Sequence, residues 1–332
     1  MKRNFKLLCT SVVLLMLVFI LSLTGCNNEE NSGSGETKYF TVKFDTGGGT
    51  RIADMEIKAD TFISRPKDPE KNGYLFVGWY EEGGRVEWVF DEYTVIRDMT
   101  LEAKWIDAKD AYSYLVNDDG TVTITGVKKE VREMAIPDTI EGKKVVAIGN
   151  NAFERLDPEE VFNITVPETV TSIGEFAFVG CEGINITVGG KITEIGTAAF
   201  LGCDKLLSVK FGEGLEEIPY QAFAGCVALE EVYLPDSLYL IDENAFEECT
   251  GVVKIIFGAG LETVADGAFR FCDSIQVIFY KGDALCYEKL DVATGNDPIE
   301  DARVYFYSEQ TPEDDLNDYW YFDAKGNPRI YN

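Results

Sequence analysis

Apolar positions between residues 131 and 282 return in a fixed frame, and an Ala-Phe pair marks each return, with Phe at 153, 178, 200, 223, 246 and 269. The intervals are 25, 22, 23, 23 and 23 residues. From Cys203 onward the unit reads C-x2-[LVI]-x2-[VI]-x-[LFY], then Pro or Gly, then [LVI]-x2-[IV]-x3-Ala-Phe-x2-Cys; Cys203, Leu206, Val209 and Phe211 begin one copy. Alternation around Val209 and Phe211 predicts a short strand in each unit with these side chains turned inward. A proline or glycine (Pro137, Pro167, Gly189, Gly212, Pro235, Gly258) closes each strand, where a turn is needed and a ladder donor is dispensable. A repeat of about 20 to 50 residues means stacked units, none of which can bury its apolar face alone. The middle of the chain is therefore expected to be a solenoid.

The flanking patterns differ. Strand-like alternation in Tyr39-Phe40-Thr41-Val42-Lys43-Phe44, the Gly47-Gly48-Gly49 turn, the Pro66 to Pro69 break and the apolar stretches at 74–80 and 99–105 predict a small β-rich domain over residues 39–106. Residues 107–130 alternate about Asp119-Gly120, a hairpin signal, and are expected to cap the first coil of the 131–282 repeats. Residues 283–332 leave the repeat and end in two aromatic runs, Tyr305-Phe306-Tyr307 and Tyr319-Trp320-Tyr321-Phe322, expected to cap the other end. At the amino terminus, a basic segment to Lys6 and an apolar run over 7–23 form a secretion signal within residues 1–25, and the polar stretch 26–38 is a tether with a root-mean-square span of roughly 20 Å.

Leu23-Thr24-Gly25-Cys26 resembles the bacterial lipobox. The resemblance implies that Cys26 becomes diacylglyceryl-modified and holds the protein at the extracellular face of the cytoplasmic membrane, two acyl chains being enough for stable anchoring. The small domain resembles the internalin B-repeat, or Listeria-Bacteroides repeat, through Phe44-Asp45, Gly47-Gly48, Gly73-Tyr74, Phe76, Gly78-Trp79-Tyr80 and Lys104-Trp105. This implies a β-grasp-like (α+β) module that serves surface proteins as a spacer or contributes to adhesion. The repeats resemble BspA-type leucine-rich repeats through Ile136-Pro137, Val166-Pro167 and Leu234-Pro235, the isoleucines at 173, 195, 218 and 241, and the cysteines after each Ala-Phe. The resulting expectation is a mainly β protein, a leucine-rich-repeat solenoid with a period of about 23 residues and caps at both ends, preceded by the β-grasp-like domain.

Charge and composition narrow the function. The net charge is −28, and removing the first 25 residues, which hold Lys2, Arg3 and Lys6 but no acid, takes it to −31. Such a surface repels nucleic acid and anionic lipid. The chain has no histidine, which removes the usual general base, the commonest metal ligand and every Ser-His or Cys-His pair. No catalytic residue, cofactor or metal is expected. Gly47-Gly48-Gly49-Thr50 lacks the lysine of a phosphate loop, and Asn117 to Gly120 lacks the remaining ligands of a calcium loop. Trp79, Tyr80, Trp88 and Trp105 are read as core aromatics over a sugar platform. Cys181, Cys203, Cys226, Cys249 and Cys272 take one slot per coil and should form a column spaced by about 4.8 Å, read as buried free thiols over a disulfide chain or metal site.

The outward strand slot holds Ala135, Thr165, Thr187, Lys210, Tyr233, Ile256, Phe279 and Tyr305, small and polar at first and apolar later. Lys210, Tyr233, Ile256, Phe279 and Tyr305, with Val277 beside Phe279, are the candidate ligand surface; the competing reading places the aromatic end under the terminal cap. The function expected is a non-enzymatic surface lipoprotein that binds a protein or glycan partner in adhesion or ligand capture. A passive spacer or scaffold is the alternative, and a carboxylate-based glycosidase ranks third.

Overall fold

The computed structural model describes residues 37–128, 133–158, 161, 163–310 and 318–331; the signal segment and Cys26 lie outside them. Tyr39–Asn332 is one compact unit. It opens with a four-stranded mixed sheet of β1 (Tyr39–Asp45), β2 (Met55–Lys58), β3 (Tyr74–Glu81) and β4 (Met99–Asp107), ordered β2-β1-β4-β3 with β1 parallel to β4. Alternation sends Val42 and Phe44 inward from β1 and Leu101 and Ala103 from β4, and Trp79 closes this core with Phe44 edge-on at 5.1 Å. The Gly-Gly-Gly turn cradles Trp105, whose indole N–H donates to the Thr46 carbonyl at 2.9 Å. A side chain at Gly49 would lie 2.7 Å from that ring, so glycine is required there.

A bulge between Phe76 and Gly78 shifts the alternation of β3, so that Phe76 and Trp79 share one face. Phe76 and Trp79 enter the small core, whereas Leu75 is fully buried in the core of the solenoid. The Gly73 carbonyl accepts from the Ala108 amide at 2.9 Å, and Thr139 Oγ1 donates to Asn72 Oδ1 at 2.8 Å. The small domain is thus packed onto the first coil. A helical turn, α1 (Ala108–Ala111), leads into the hairpin of β5 (Tyr112–Val116) and β6 (Val122–Val127), and β6 pairs parallel with the strand Lys143–Ile148. The segment 117–120 is a plain turn, with the Gly120 amide bonded to the Asn117 carbonyl at 2.9 Å and Gly120 at φ 82°.

The coils contribute parallel strands to two opposite faces, in register with their neighbours, as in Asn163↔Asn185 and Ser172↔Glu194; at the coil of Phe223 each ladder is broken on one side, Lys210–Phe211 pairing back to Lys191–Ile192 and Glu217–Ile218 forward to Leu240–Ile241. The phenylalanines of the Ala-Phe pairs stack face to face down the centre, with centroids 5.1 to 5.4 Å apart and planes within 5 to 16°. Each Phe amide donates to the Ala carbonyl of the next coil at 2.8 Å, from Phe153 to Ala177 through Phe246 to Ala268. Tyr112 covers the first ring at 6.1 Å.

The five repeat cysteines are buried free thiols. Each thiol donates to the Phe carbonyl one coil earlier at 3.0 to 3.3 Å. The Phe178, Phe200, Phe223 and Phe246 carbonyls accept from their own coil's Cys amide as well, so both lone pairs are occupied. Burial pushes the Cys181 thiol up to about 12 and raises those of Cys203, Cys226 and Cys249. A raised folded pKa means that the stability contributed by the neutral thiol is complete below the ordinary thiol value and is lost as pH rises through it. For Cys181 the expected loss is about 1.4 kcal/mol for each pH unit above that value. Denaturant midpoints at pH 8 and pH 10 check this; the Cys181→Ala chain should lose less than the native one, and equal losses would refute it.

The last coil ends differently. Phe269 has no Ala-Phe coil beyond it, and its amide donates to the side-chain Oδ1 of Asn296 at 3.0 Å. Asn296 Nδ2 donates to the Ala265 and Ala293 carbonyls at 2.9 and 2.8 Å. A fully buried asparagine side chain therefore stands in for the missing peptide of the next coil.

The strand Arg303–Tyr307 extends the sheet, followed by Tyr319–Phe322 and the antiparallel Pro328–Ile330. Among the described residues no helix is long and apolar enough to cross a membrane.

Candidate functional site

The outward slot alternates as expected over its first half: Ala135, Thr165, Thr187, Lys210 and Tyr233 are exposed. The expectation of exposure fails for the second half. Ile256, Phe279 and Tyr305 are buried in a cluster around Trp320, whose ring lies 5.2 Å from that of Phe279 and whose indole N–H donates to the Tyr280 carbonyl at 3.1 Å. The terminal hairpin removes this apolar row from water, which favours its placement there. Lys210 is exposed but pairs with Lys191 in a separate two-stranded ladder, out of line with Thr187. Val277 is half-buried at the edge of the cluster.

Open apolar surface lies instead beside Tyr233. A depression of about 450 Å³ is lined by Leu207, Val227, Glu230, Val253, Lys254 and Val277, among others. Leu207 is 66% exposed, Val227 43% and Val253 38%. Leu207, Glu230 and Val253 each follow the inward aliphatic of their coil (Leu206, Leu229, Val252), so they form a second outward row before the strand slot. In the coil of Leu207, regular strand is limited to Lys210–Phe211, which leaves this side chain raised from the face.

At the rim Tyr233 donates its hydroxyl to Glu231 Oε2 at 2.7 Å, and Lys254 pairs with the other carboxylate oxygen. Burial raises the Tyr233 phenol, and the bond to Glu231 adds to the effect. For Glu231 burial pulls the carboxyl upward, but the bonds from Lys254 and Tyr233 and the lysine charge outweigh it and hold the group below its ordinary value. Lys254 is thus neutralised within the protein. Glu230 forms no ion pair among the described residues, so the depression presents apolar groups with one uncompensated negative charge.

Strand alternation points to Tyr233 and Val277 in this region and misses Leu207, Val227 and Val253. The available signal was apolar residues in slots that other coils fill with polar ones: Val227 follows Cys226 where Glu182, Asp204, Thr250 and Asp273 follow theirs. Among the described residues no three His, Cys, Asp or Glu side chains converge as a metal site.

Comparison with known proteins agrees with this architecture. Residues 129–253 and 173–284 match the BspA type leucine-rich repeat region in six copies, and residues 40–104 match the Listeria-Bacteroides repeat domain. The chain carries a BspA-type leucine-rich repeat region preceded by a Listeria-Bacteroides repeat. It is similar to the crystal structure of the T. pallidum leucine-rich repeat protein TpLRR, 27% identical, over 52% of this chain and 80% of that one, with a TM-score of 0.46. It is also similar to a leucine-rich cell surface protein of Faecalibacterium prausnitzii A2-165, 22% identical over 66% of this chain and 59% of that one, with a TM-score of 0.42. Two Evansella cellulosilytica proteins, one named a Gly-rich membrane protein and the other a membrane protein, are 39% identical over 71 residues, or 21% of this chain. The chain spans about a tenth of the length of these curated relatives, 8% of one and 11% of the other.

Proposed function

We propose that this protein is a cell-surface binding protein, tethered through lipid on Cys26, that captures a protein partner on the uncovered face of its regular coils. The observation that carries the reading is the depression at Leu207, Val227 and Val253, where apolar side chains from successive coils remain in water although the cap covers their neighbours. A contiguous exposed apolar patch on a stable fold marks an interaction surface. The rim sets the partner's chemistry. An apolar side chain flanked by a lysine or arginine fits Glu230, and an acidic partner is repelled by a chain of charge −28. Membrane-named relatives and BspA-type repeats support a surface location.

The test is a matrix-protein and glycan array probed with the native protein and with a Leu207→Ser/Val253→Ser variant. Capture of a basic protein, weakened at least tenfold in the variant with melting unchanged, is expected; equal capture by both would overturn the site. The second reading, a passive spacer, draws on the packing of the small domain against the first coil through Leu75 and the Thr139–Asn72 bond. It requires that the array show no capture at all.

A further inference from the structure

A partly exposed aromatic pair lies on the small domain, in the segment between β3 and β4. Trp88 and Tyr93 stand side by side there, ring centroids 5.3 Å apart and planes inclined by 58°. Trp88 leans on the small core with part of its ring exposed, and Tyr93 is 38% exposed, unlike Trp79, which is fully enclosed. Their backbone is held in place: the Trp88 amide donates to the Trp79 carbonyl at 2.6 Å and the Tyr93 amide to the Val89 carbonyl at 3.1 Å. Aromatic faces presented on a fixed backbone lose little entropy when they meet a ligand.

These rings line a hollow of about 320 Å³ that also contains Glu81, Glu92 and Arg97. A neighbouring hollow of about 470 Å³ contains Lys43, Glu82, Asp98 and Thr100. Both share Glu81, Arg97 and Met99, so the ion pair between Glu81 and Arg97 is the saddle of one continuous trough. Each half falls within the roughly 300 to 1,000 Å³ of ordinary ligand sites.

We propose that this trough binds a neutral polysaccharide chain, one ring packing on Trp88 and Tyr93 and the next units passing over the Glu81–Arg97 saddle. A pyranose has a C–H face that packs on an aromatic ring and a rim of hydroxyls that need acceptors and donors; carboxylates supply the first and Arg97, Lys43 and Thr100 the second. Of Glu81, Glu82, Glu92 and Asp98, only Glu81 has an ion-pair partner among the described residues, Arg97, and an apolar peptide would strip water from the other three without pairing them. An anionic polymer would meet those four carboxylates against only Lys43 and Arg97. The site is separate from the solenoid depression and stands or falls independently of it.

Affinity electrophoresis of the protein in gels containing a soluble β-glucan, a mannan, a galactan or the anionic polygalacturonate tests the proposal. At least one neutral polymer should retard migration. Tyr93→Ala and Glu92→Gln should each weaken that retardation tenfold or more with melting unchanged, and the fluorescence change on binding should vanish in Trp88→Phe, which keeps the packing. The Leu207→Ser/Val253→Ser variant should bind the polymer normally. Retardation by none of the neutral polymers, by polygalacturonate alone, or equally in Tyr93→Ala would overturn the proposal, as would its loss in the solenoid variant.

Discussion

Replacing Phe223 with alanine is expected to cost about 4 kcal/mol, the middle of the range for emptying a buried aromatic site. Phe223 lies 5.4 Å from Phe200 and 5.2 Å from Phe246 in near-parallel stacks, and Phe211 meets its edge at 5.7 Å. The site collapses poorly, because the Ala-Phe backbone is hydrogen-bonded to the coils on either side, the Phe200 amide to the Ala222 carbonyl and the Phe223 amide to the Ala245 carbonyl, each at 2.8 Å. A solenoid is stabilised by each unit and by its interface with the next, so damage at one interface divides the stack. Urea unfolding followed by circular dichroism should broaden or split, and amide exchange should accelerate on both sides of Phe223. A single sharp transition shifted by under about 1 kcal/mol would contradict the stacked ladder as the main source of cohesion.

Asn296→Ala is the second large effect, about 3 kcal/mol. The change orphans the Phe269 amide and removes a donor from the Ala265 and Ala293 carbonyls, and each buried group left without a partner costs about 1 to 3 kcal/mol. Asn296→Asp sharpens the test. Aspartate retains the acceptor for Phe269 but loses both donor bonds and at neutral pH turns a negative charge toward two carbonyls, so it should rescue nothing at pH 7. Thermal melting of the two variants and exchange of the Phe269 amide check the result. Full protection of that amide in Asn296→Ala would show that another group terminates the ladder.

These two residues differ in how far they are legible in the chain. Phe223 belongs to a period, and a period fixes both neighbours and direction: the same inward slot recurs, so the ring stack and the thiol column follow from spacing alone. Asn296 lies outside the repeat, and one asparagine among polar residues carries no mark of burial. Its role exists only because a carbonyl is missing beyond Phe269. Leu75 shows a similar limit. Alternation in β3 assigns it to the face opposite Phe76, but only the first coil buries that face as well.

The candidate surface separates along the same line. Tyr233 is outward by alternation and remains outward, yet Ile256 and Phe279, outward by the same rule, are enclosed. By itself the amino-acid sequence determined the coil, its core, the cysteine column and which side chains leave the strand outward, because those depend on contacts between equivalent positions one period apart. Only the tertiary structure decided which outward side chains stay in water. That choice depends on Trp320, which lies 40 residues beyond the Tyr280 carbonyl it binds, and local periodicity carries no information about where such a distant hairpin will lie.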